Sequence, residues 1–131
     1  MQSDSERPHV RSGPRVAVVG PCASGKTTLV ANLLRQGVDA WAVGQEHSGV
    51  RHLWARQSPD ILIALDVSLE ILRTRRSPEW SATIYAAQHE RLREAFAHAD
   101  VVLDTGELSE EAVLAAVMAK VGDFTEQSDF S

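Results

Sequence analysis

A short glycine-containing segment carries the clearest chemistry in this chain. Gly20-Pro-Cys-Ala-Ser-Gly-Lys-Thr27 fits the pattern G-x-x-x-x-G-K-[ST] at every fixed position. The glycines allow a tight turn and a close backbone approach, so that consecutive N–H groups can point at one phosphate. Lys26 supplies a positive charge for the β- and γ-phosphates, and the Thr27 hydroxyl is placed to bind Mg²⁺. The segment therefore predicts a phosphate-binding loop (P-loop) for a nucleotide, with contacts from Gly20, Ala23, Ser24, Gly25, Lys26, Thr27 and Thr28.

Two acidic residues are candidates for the magnesium shell. Asp66 directly follows the apolar run Ile61-Leu-Ile-Ala-Leu65, and Glu46 follows the less regular run Trp41-Ala-Val-Gly-Gln45. A phosphate-binding loop needs a carboxylate at the end of a neighbouring strand to position the metal and its water. The pattern alone favours Asp66, although an acid after a strand is also a common cap for the next turn.

A basic cluster, Arg73, Arg75 and Arg76, precedes Ser77-Pro78. An arginine in this place can stabilise charge on a transferred phosphoryl group, and Arg75 and Arg76 are the candidates for that catalytic role. The alternative is a solvated helix end, where cations suit the negative end of the helix dipole.

Three further side chains allow two interpretations each. Cys22, inside the loop, is either a redox-sensitive thiol near a helix N-terminus or a small filler. His47 is either a general base or substrate contact, or a plain surface residue. Trp54 either walls a binding groove or anchors the core. No histidine pair has the i, i+4 spacing of a zinc motif, so the sequence predicts no dedicated transition-metal site.

The elements that must position these residues alternate between strands and helices. Apolar runs predict strands at 15–20, 38–44, 61–65 and 100–104. Helices are expected from Lys26 to a C-terminal cap at Gly37, after the N-terminal caps Ser48, Ser68 and Ser109, and from Ser77-Pro-Glu79 to Ala99, with Ile84 and Gln88 on its apolar stripe. Strands separated by helices predict an α/β fold: a three-layer α/β/α domain with a small, mainly parallel, four-stranded sheet.

Length and composition limit the classes of protein. The 131 residues suffice for one domain, predicted at 15–121, between a flexible lead-in at 1–14 and an acidic tail at 122–131. A net charge of −5 disfavours a nucleic-acid binder. No apolar run is long enough to predict a membrane span, and the single cysteine indicates a reducing compartment. We therefore expect a cytoplasmic protein.

The segment from Ser58 to Glu70, SPDILIALDVSLE, with the arginines that follow it, resembles the nucleoside and nucleotide kinases, thymidylate kinases especially. The segments at 101–105 and 108–113 resemble the last strand and helix of these kinases, whose connecting loop contacts adenine. The resemblance implies a P-loop NTPase fold and a metal-shell acid at Glu46, with His47 where the family has an arginine. It also implies a lid at the arginine cluster.

The resemblance covers roughly residues 15–121 but leaves a gap. The family places a substrate-binding strand and helices after the P-loop helix, whereas only Gly37 to Ala40 separate the corresponding elements here. The expected function is binding of ATP (or GTP) with Mg²⁺ and phosphoryl transfer to an unknown small-molecule acceptor. The alternative is a nucleotide-dependent switch or slow NTPase that acts through a protein partner.

Overall fold

The chain folds around a small parallel sheet. The computed structural model describes residues 13–129 and contains the strands β1 (Arg15–Val19), β2 (Asp39–Ala42), β3 (Ile61–Asp66) and β4 (Val101–Asp104). The four strands are hydrogen-bonded in the order β2-β1-β3-β4, and every neighbouring pair is parallel. The two inner strands are buried on both faces, which explains their continuous apolar runs. The predicted α/β class and the small parallel sheet are confirmed.

Helices cover both faces of the sheet. Within residues 13–129 the α-helices are α1 (Lys26–Arg35), α2 (Leu69–Arg75), α3 (Ala82–His98) and α4 (Glu110–Asp129). Two short 3₁₀ turns, Gln45–His47 and Leu53–Ala55, lie between β2 and β3. Leu29 and Leu33 of α1 pack with Val117 of α4 against one face, whereas Leu92 of α3 packs against the other. The arrangement is therefore compatible with three layers.

Local capping signals place several helix ends as predicted. At the end of α1, Gly37 has a φ of +82°, which suits glycine because a Cβ disfavours this conformation. The N–H of Gly37 donates to Leu34 O at 3.0 Å and the N–H of Val38 donates to Leu33 O at 3.0 Å, the two bonds of a Schellman motif. Ser68 Oγ likewise accepts a hydrogen bond from Ile71 N at the start of α2.

The predicted start of the long helix at Ser77-Pro-Glu79 is wrong. Helix α3 begins at Ala82, and Ser81 Oγ accepts from the N–H of Ile84. Residues 77–80 form a turn closed by a 3.0 Å hydrogen bond from Trp80 N to Ser77 O. Arg73 Nε donates to the Trp80 carbonyl at 3.0 Å, so a contact with α2 holds the turn.

The predicted helix capped by Ser48 is also wrong. Ser48 Oγ accepts from Val50 N at 3.0 Å in a local turn, and the only helical residues between Ser48 and β3 are those of the 3₁₀ turn at Leu53–Ala55. The side chain of Gln45, which is fully buried, donates to Val50 O at 2.7 Å and accepts from Trp54 N at 3.0 Å. This one amide satisfies backbone groups that a helix would have paired.

The last helix does not end at Val121. Helix α4 continues through Gly122 to Asp129, so most of the segment predicted as a tail is helical. Phe124 packs against the core next to α1, which offsets the roughly 1 kcal/mol that a glycine costs inside a helix. Most of the lead-in predicted at 1–14 lies outside the described residues. Among residues 13–129, no helix is both long and apolar enough to cross a membrane.

Candidate functional site

The candidate site lies at the carboxyl end of β1. From β1 the chain passes through α1 to β2 on one side, and it later returns as β3 on the other side. Parallel sheets bind ligands outside the carboxyl ends of their strands, at the point where the strand order reverses. The glycine-containing loop at residues 20–25 occupies this point and leads directly into α1.

Close packing explains the glycine that opens the loop. A Cβ on Gly20 would lie 2.5 Å from Ser24 Oγ and 2.6 Å from the carbonyl oxygen of Leu65 in β3. Two left-handed residues then turn the chain: Ala23 has a φ of +63° and Gly25 a φ of +100°. The first N–H groups of a helix have no carbonyl partner within it, so the start of α1 directs donors toward the space beside the loop.

Lys26 folds back over the loop. Its Nζ donates to Gly20 O at 2.7 Å, to Pro21 O at 3.3 Å and to Glu46 Oε2 at 2.9 Å. The side chain of Lys26 is 13% exposed and that of Glu46 is 5% exposed. The loop lysine is therefore held in place by two carbonyls and by one buried carboxylate.

Glu46 is positioned by the 3₁₀ turn that follows β2. The N–H bonds of that turn and a 3.1 Å hydrogen bond from Arg91 Nη1 to Glu46 O hold its backbone. Its second carboxylate oxygen, Oε1, is buried and has no hydrogen-bond partner. A buried carboxylate oxygen without a partner is costly, so Oε1 is available to bind a cation or a further hydrogen-bond donor.

Asp66, the other acid predicted for the metal shell, faces different groups. Its Oδ1 accepts from Val67 N at 2.9 Å and lies 2.9 Å from His89 Nε2 on α3. Its side chain is 41% exposed. The structure thus brings Glu46, and not Asp66, into contact with Lys26.

Two cavities border the loop and share Ala23, Ser24, Gly25 and Thr28. The larger, of about 500 Å³, lies between α1 and α4 and has apolar walls that include Leu29, Leu108 and Val113. Its volume is in the range of small-molecule sites. The smaller, of about 370 Å³, lies on the charged side of the loop and is lined by Cys22, Lys26, Thr27, Glu46, His47 and Arg76.

The two neighbouring arginines predicted to act at the site serve different cavities. Arg75 Nη1 donates to Ala23 O at 2.7 Å, and its Nη2 donates to Thr105 O at 2.7 Å, so it joins the loop to the turn after β4. Arg75 therefore lines the larger cavity, whereas Arg76 lines the smaller one with Thr27. Ser24 Oγ is buried and has no hydrogen-bond partner.

Sequence reasoning missed Gln88, which braces the loop from α3. Gln88 is 3% exposed; its Oε1 accepts from Cys22 N at 3.0 Å and its Nε2 donates to Cys22 Sγ at 3.2 Å. The available signal was a polar residue within the apolar stripe of α3. The predicted stripe is correct at Gln88 but wrong at Ile84, which is 50% exposed. Trp54 packs against the sheet core and lines neither cavity.

Tyr85 supports the same edge of the site. Its hydroxyl donates to Val67 O at 2.8 Å, directly after β3. Burial raises the pKa of the Tyr85 phenol above its usual value of 10.0, and the negative charges of Asp66 and Asp104 raise it further. Tyr85 therefore remains a hydrogen-bond donor at neutral pH.

The chain matches no protein-family model, and no curated protein is significantly similar to it in sequence. Its function is therefore inferred from the residues and the geometry of the site.

Proposed function

We propose that this chain is a P-loop protein that binds ATP (or GTP) with Mg²⁺ and transfers the terminal phosphoryl group to a small-molecule acceptor. One observation carries the proposal: the G-x-x-x-x-G-K-T loop lies at the point where the strand order reverses, with Lys26 Nζ held 2.9 Å from the buried Glu46. The sequence motif, the place of the loop in the sheet and the Lys26–Glu46 ion pair all point to the same site, although each depends on a different part of the chain.

The phosphates would replace Glu46 as the partner of Lys26. The N–H groups of residues 23–27 and the positive end of α1 would hold the phosphate oxygens. Thr27 and Glu46 would hold Mg²⁺, which would neutralise negative charge on the phosphates. Each buried charge exchanges one partner for another, so no charge is left uncompensated and the lysine is positioned before the ligand arrives.

The larger cavity suits the nucleoside. Its apolar walls offer an aromatic base a place to pack, and its volume of about 500 Å³ is sufficient for a purine nucleoside. Arg75 lies at its edge and is anchored to Thr105 O at 2.7 Å, so a planar cation is available to stack on the base. The shared residues at the start of α1 connect this cavity to the phosphate loop.

The smaller cavity suits the acceptor. His47 and Arg76 border it beside Lys26 and Glu46, so an attacking oxygen would face both a basic group and cations. A cation there can stabilise the negative charge that spreads over the phosphoryl group during transfer.

A second candidate function is supported by the connection between α1 and β2. Only residues 36–38 separate these elements, so this part of the chain contains no separate segment to bind an acceptor. With water in the acceptor position, the protein would be a slow NTPase or nucleotide-dependent switch that works through a protein partner.

Calorimetry with ATP and GTP in the presence of Mg²⁺ tests nucleotide binding. Lys26→Ala removes a charge-assisted contact worth about 1.5–3 kcal/mol, so we expect affinity to fall by about 10- to 100-fold. Lys120→Ala is a matched control, because Lys26 and Lys120 are the only lysines and Lys120 lies in the second half of α4. Equal affinities for wild type and Lys26→Ala would contradict the proposal.

A second experiment separates the two functions. The protein is incubated with γ-labelled ATP and a panel of nucleosides, nucleotides and small alcohols. Label transferred to an acceptor supports the kinase activity. Release of free phosphate alone, faster in the presence of a co-purifying protein, supports the switch.

A further inference from the structure

Three side chains with different donor atoms converge in the smaller cavity. Cys22 Sγ lies 3.8 Å from His47 Nε2, and His47 Nε2 lies 3.5 Å from Glu46 Oε2. Their ligand atoms all lie within 4.8 Å of one another. A thiol, an imidazole and a carboxylate thus face a common point beside the loop.

Two of the three separations are close to those of a tetrahedral zinc site. Zinc bonds of about 2.0–2.3 Å at tetrahedral angles place neighbouring ligand atoms roughly 3.4–3.6 Å apart. The observed 3.8 Å and 3.5 Å are within a few tenths of an ångström of these values. The ligand atoms of Cys22 and Glu46 lie within 4.8 Å of one another, so side-chain rotations must bring this third pair closer to complete the geometry.

The surroundings of the three ligands also fit a metal. Glu46 Oε2 is paired with Lys26, but Glu46 Oε1 is buried without a hydrogen-bond partner, and a cation would supply one. Gln88 Nε2 donates to Cys22 Sγ at 3.2 Å, as hydrogen-bond donors around metal ligands do. His47 has 62% of its side chain exposed, so an ion can enter from solvent.

We propose that Cys22, Glu46 and His47 bind a divalent transition-metal ion of the Zn²⁺ type in the nucleotide-free protein. Sulfur and nitrogen donors select Zn²⁺ over Mg²⁺, which prefers oxygen ligands. Three protein ligands leave the fourth position open to the cavity, where water or another small ligand completes the tetrahedron.

Binding of the ion changes the charge of the cluster. The thiol releases its proton to solvent on binding, after which the thiolate and the carboxylate together balance the two charges of the ion. Lys26 gives up Glu46 Oε2 and keeps Gly20 O at 2.7 Å and Pro21 O at 3.3 Å as neutral acceptors, so the ion, its ligands and Lys26 together carry one net positive charge. The metal site requires no nucleotide, so its test does not depend on the proposed function.

Metal titration of the full-length protein without nucleotide tests the site. Co²⁺ is the spectroscopic probe, because thiolate coordination gives a charge-transfer band and a tetrahedral site gives intense visible bands. Zn²⁺ affinity is then measured by competition with a chromophoric chelator. We expect both signals in the wild type and no displacement of Co²⁺ by a large excess of Mg²⁺.

Ligand variants identify the residues that hold the ion. Cys22→Ser and His47→Ala should each weaken Zn²⁺ binding by more than the roughly 10- to 100-fold cost of an outer-shell change, and Cys22→Ser should abolish the charge-transfer band. His98→Ala is the control, because His98 is exposed on α3 and is outside the cluster. Far-ultraviolet circular dichroism checks folding. If Cys22→Ser fails to fold, the Zn²⁺ affinity of His47→Ala tests the proposal, because His47 is exposed.

Several results would overturn the proposal. These are the absence of Co²⁺ signals in the wild type, a charge-transfer band that persists in Cys22→Ser, and Mg²⁺ displacing Co²⁺. Equal losses of affinity in His47→Ala and His98→Ala would indicate unspecific surface binding, with the same conclusion.

Discussion

The Lys26–Glu46 pair should respond unequally to removal of its two members. Lys26→Met leaves a carboxylate that is 5% exposed, with Oε1 unpartnered and Oε2 facing only His47 Nε2 at 3.5 Å. Glu46→Gln instead leaves the ammonium with two carbonyl acceptors, at 2.7 Å and 3.3 Å. Loss of the lysine is therefore the more costly change.

The structure also sets the size of each effect. Removal of one member of a buried ion pair costs about 3–5 kcal/mol, because the other charge stays buried without compensation. The lysine side chain is 13% exposed at the cavity mouth and water can enter in its place, so the lower end, about 3 kcal/mol, is expected for Lys26→Met. For Glu46→Gln we expect about 1.5 kcal/mol, the lower end of the range for a hydrogen bond to a charged group, because the ammonium keeps two carbonyl acceptors.

Urea denaturation at neutral pH without nucleotide or metal measures both free energies of unfolding. Tryptophan fluorescence and circular dichroism should give coincident transitions if the domain unfolds in two states. Lys120→Met is the matched control and should lie within about 0.5 kcal/mol of wild type. The double variant Lys26→Met/Glu46→Gln should be more stable than Lys26→Met alone, since it removes the stranded charge. A loss for Glu46→Gln that equals or exceeds that for Lys26→Met would refute this reasoning.

Three further predictions concern stability. Gly20→Ala should cost about 1–3 kcal/mol in urea, because its Cβ would meet backbone oxygen at 2.6 Å, whereas Gly44→Ala meets nothing within 4 Å and should be nearly neutral. Equal costs would argue against the packed loop. Tyr85→Phe should cost about 0.5–1.5 kcal/mol at neutral pH through the lost bond to Val67 O. Its raised pKa means that the native protein holds the phenolic proton more tightly than the unfolded chain, so wild-type stability should fall as pH rises above 10.0. Urea titrations across that range should show a shallower fall in Tyr85→Phe, and parallel curves would contradict the assignment. Ser81→Ala should lose about 1 kcal/mol by thermal or urea unfolding, because its hydroxyl caps α3, and an unchanged midpoint would count against that boundary.

Sequence predicted those elements whose signals are local. The inner strands are apolar throughout because helices cover both faces of the sheet. Gly37 ends α1 because its left-handed backbone conformation depends only on the residues of the last helical turn. The start of α3 was misplaced because both Ser77 and Ser81 resemble caps. Their difference depends on Arg73 of another helix, which bonds the turn between them.

The position of the candidate metal-shell acid shows the same limit. Glu46 and Asp66 follow the two strands that flank β1, so sequence left both as candidates for one role. The backbone after each strand separates them: a 3₁₀ turn directs Glu46 to Lys26, whereas Asp66 bonds Val67 N and faces His89. Neither direction is encoded in the spacing of the acids.

By itself, the sequence determined the G-x-x-x-x-G-K-T motif, the α/β class and the parallel sheet, because each depends on residues adjacent in the chain or on simple periodicity. Only the tertiary structure brought Gln88 to Cys22, across 66 positions, and Cys22 to Glu46 and His47. Histidine spacing had predicted no transition-metal site, since it compares residues along one helix. The three proposed ligands lie on two loops that become neighbours only when β1 and β2 pair in the sheet.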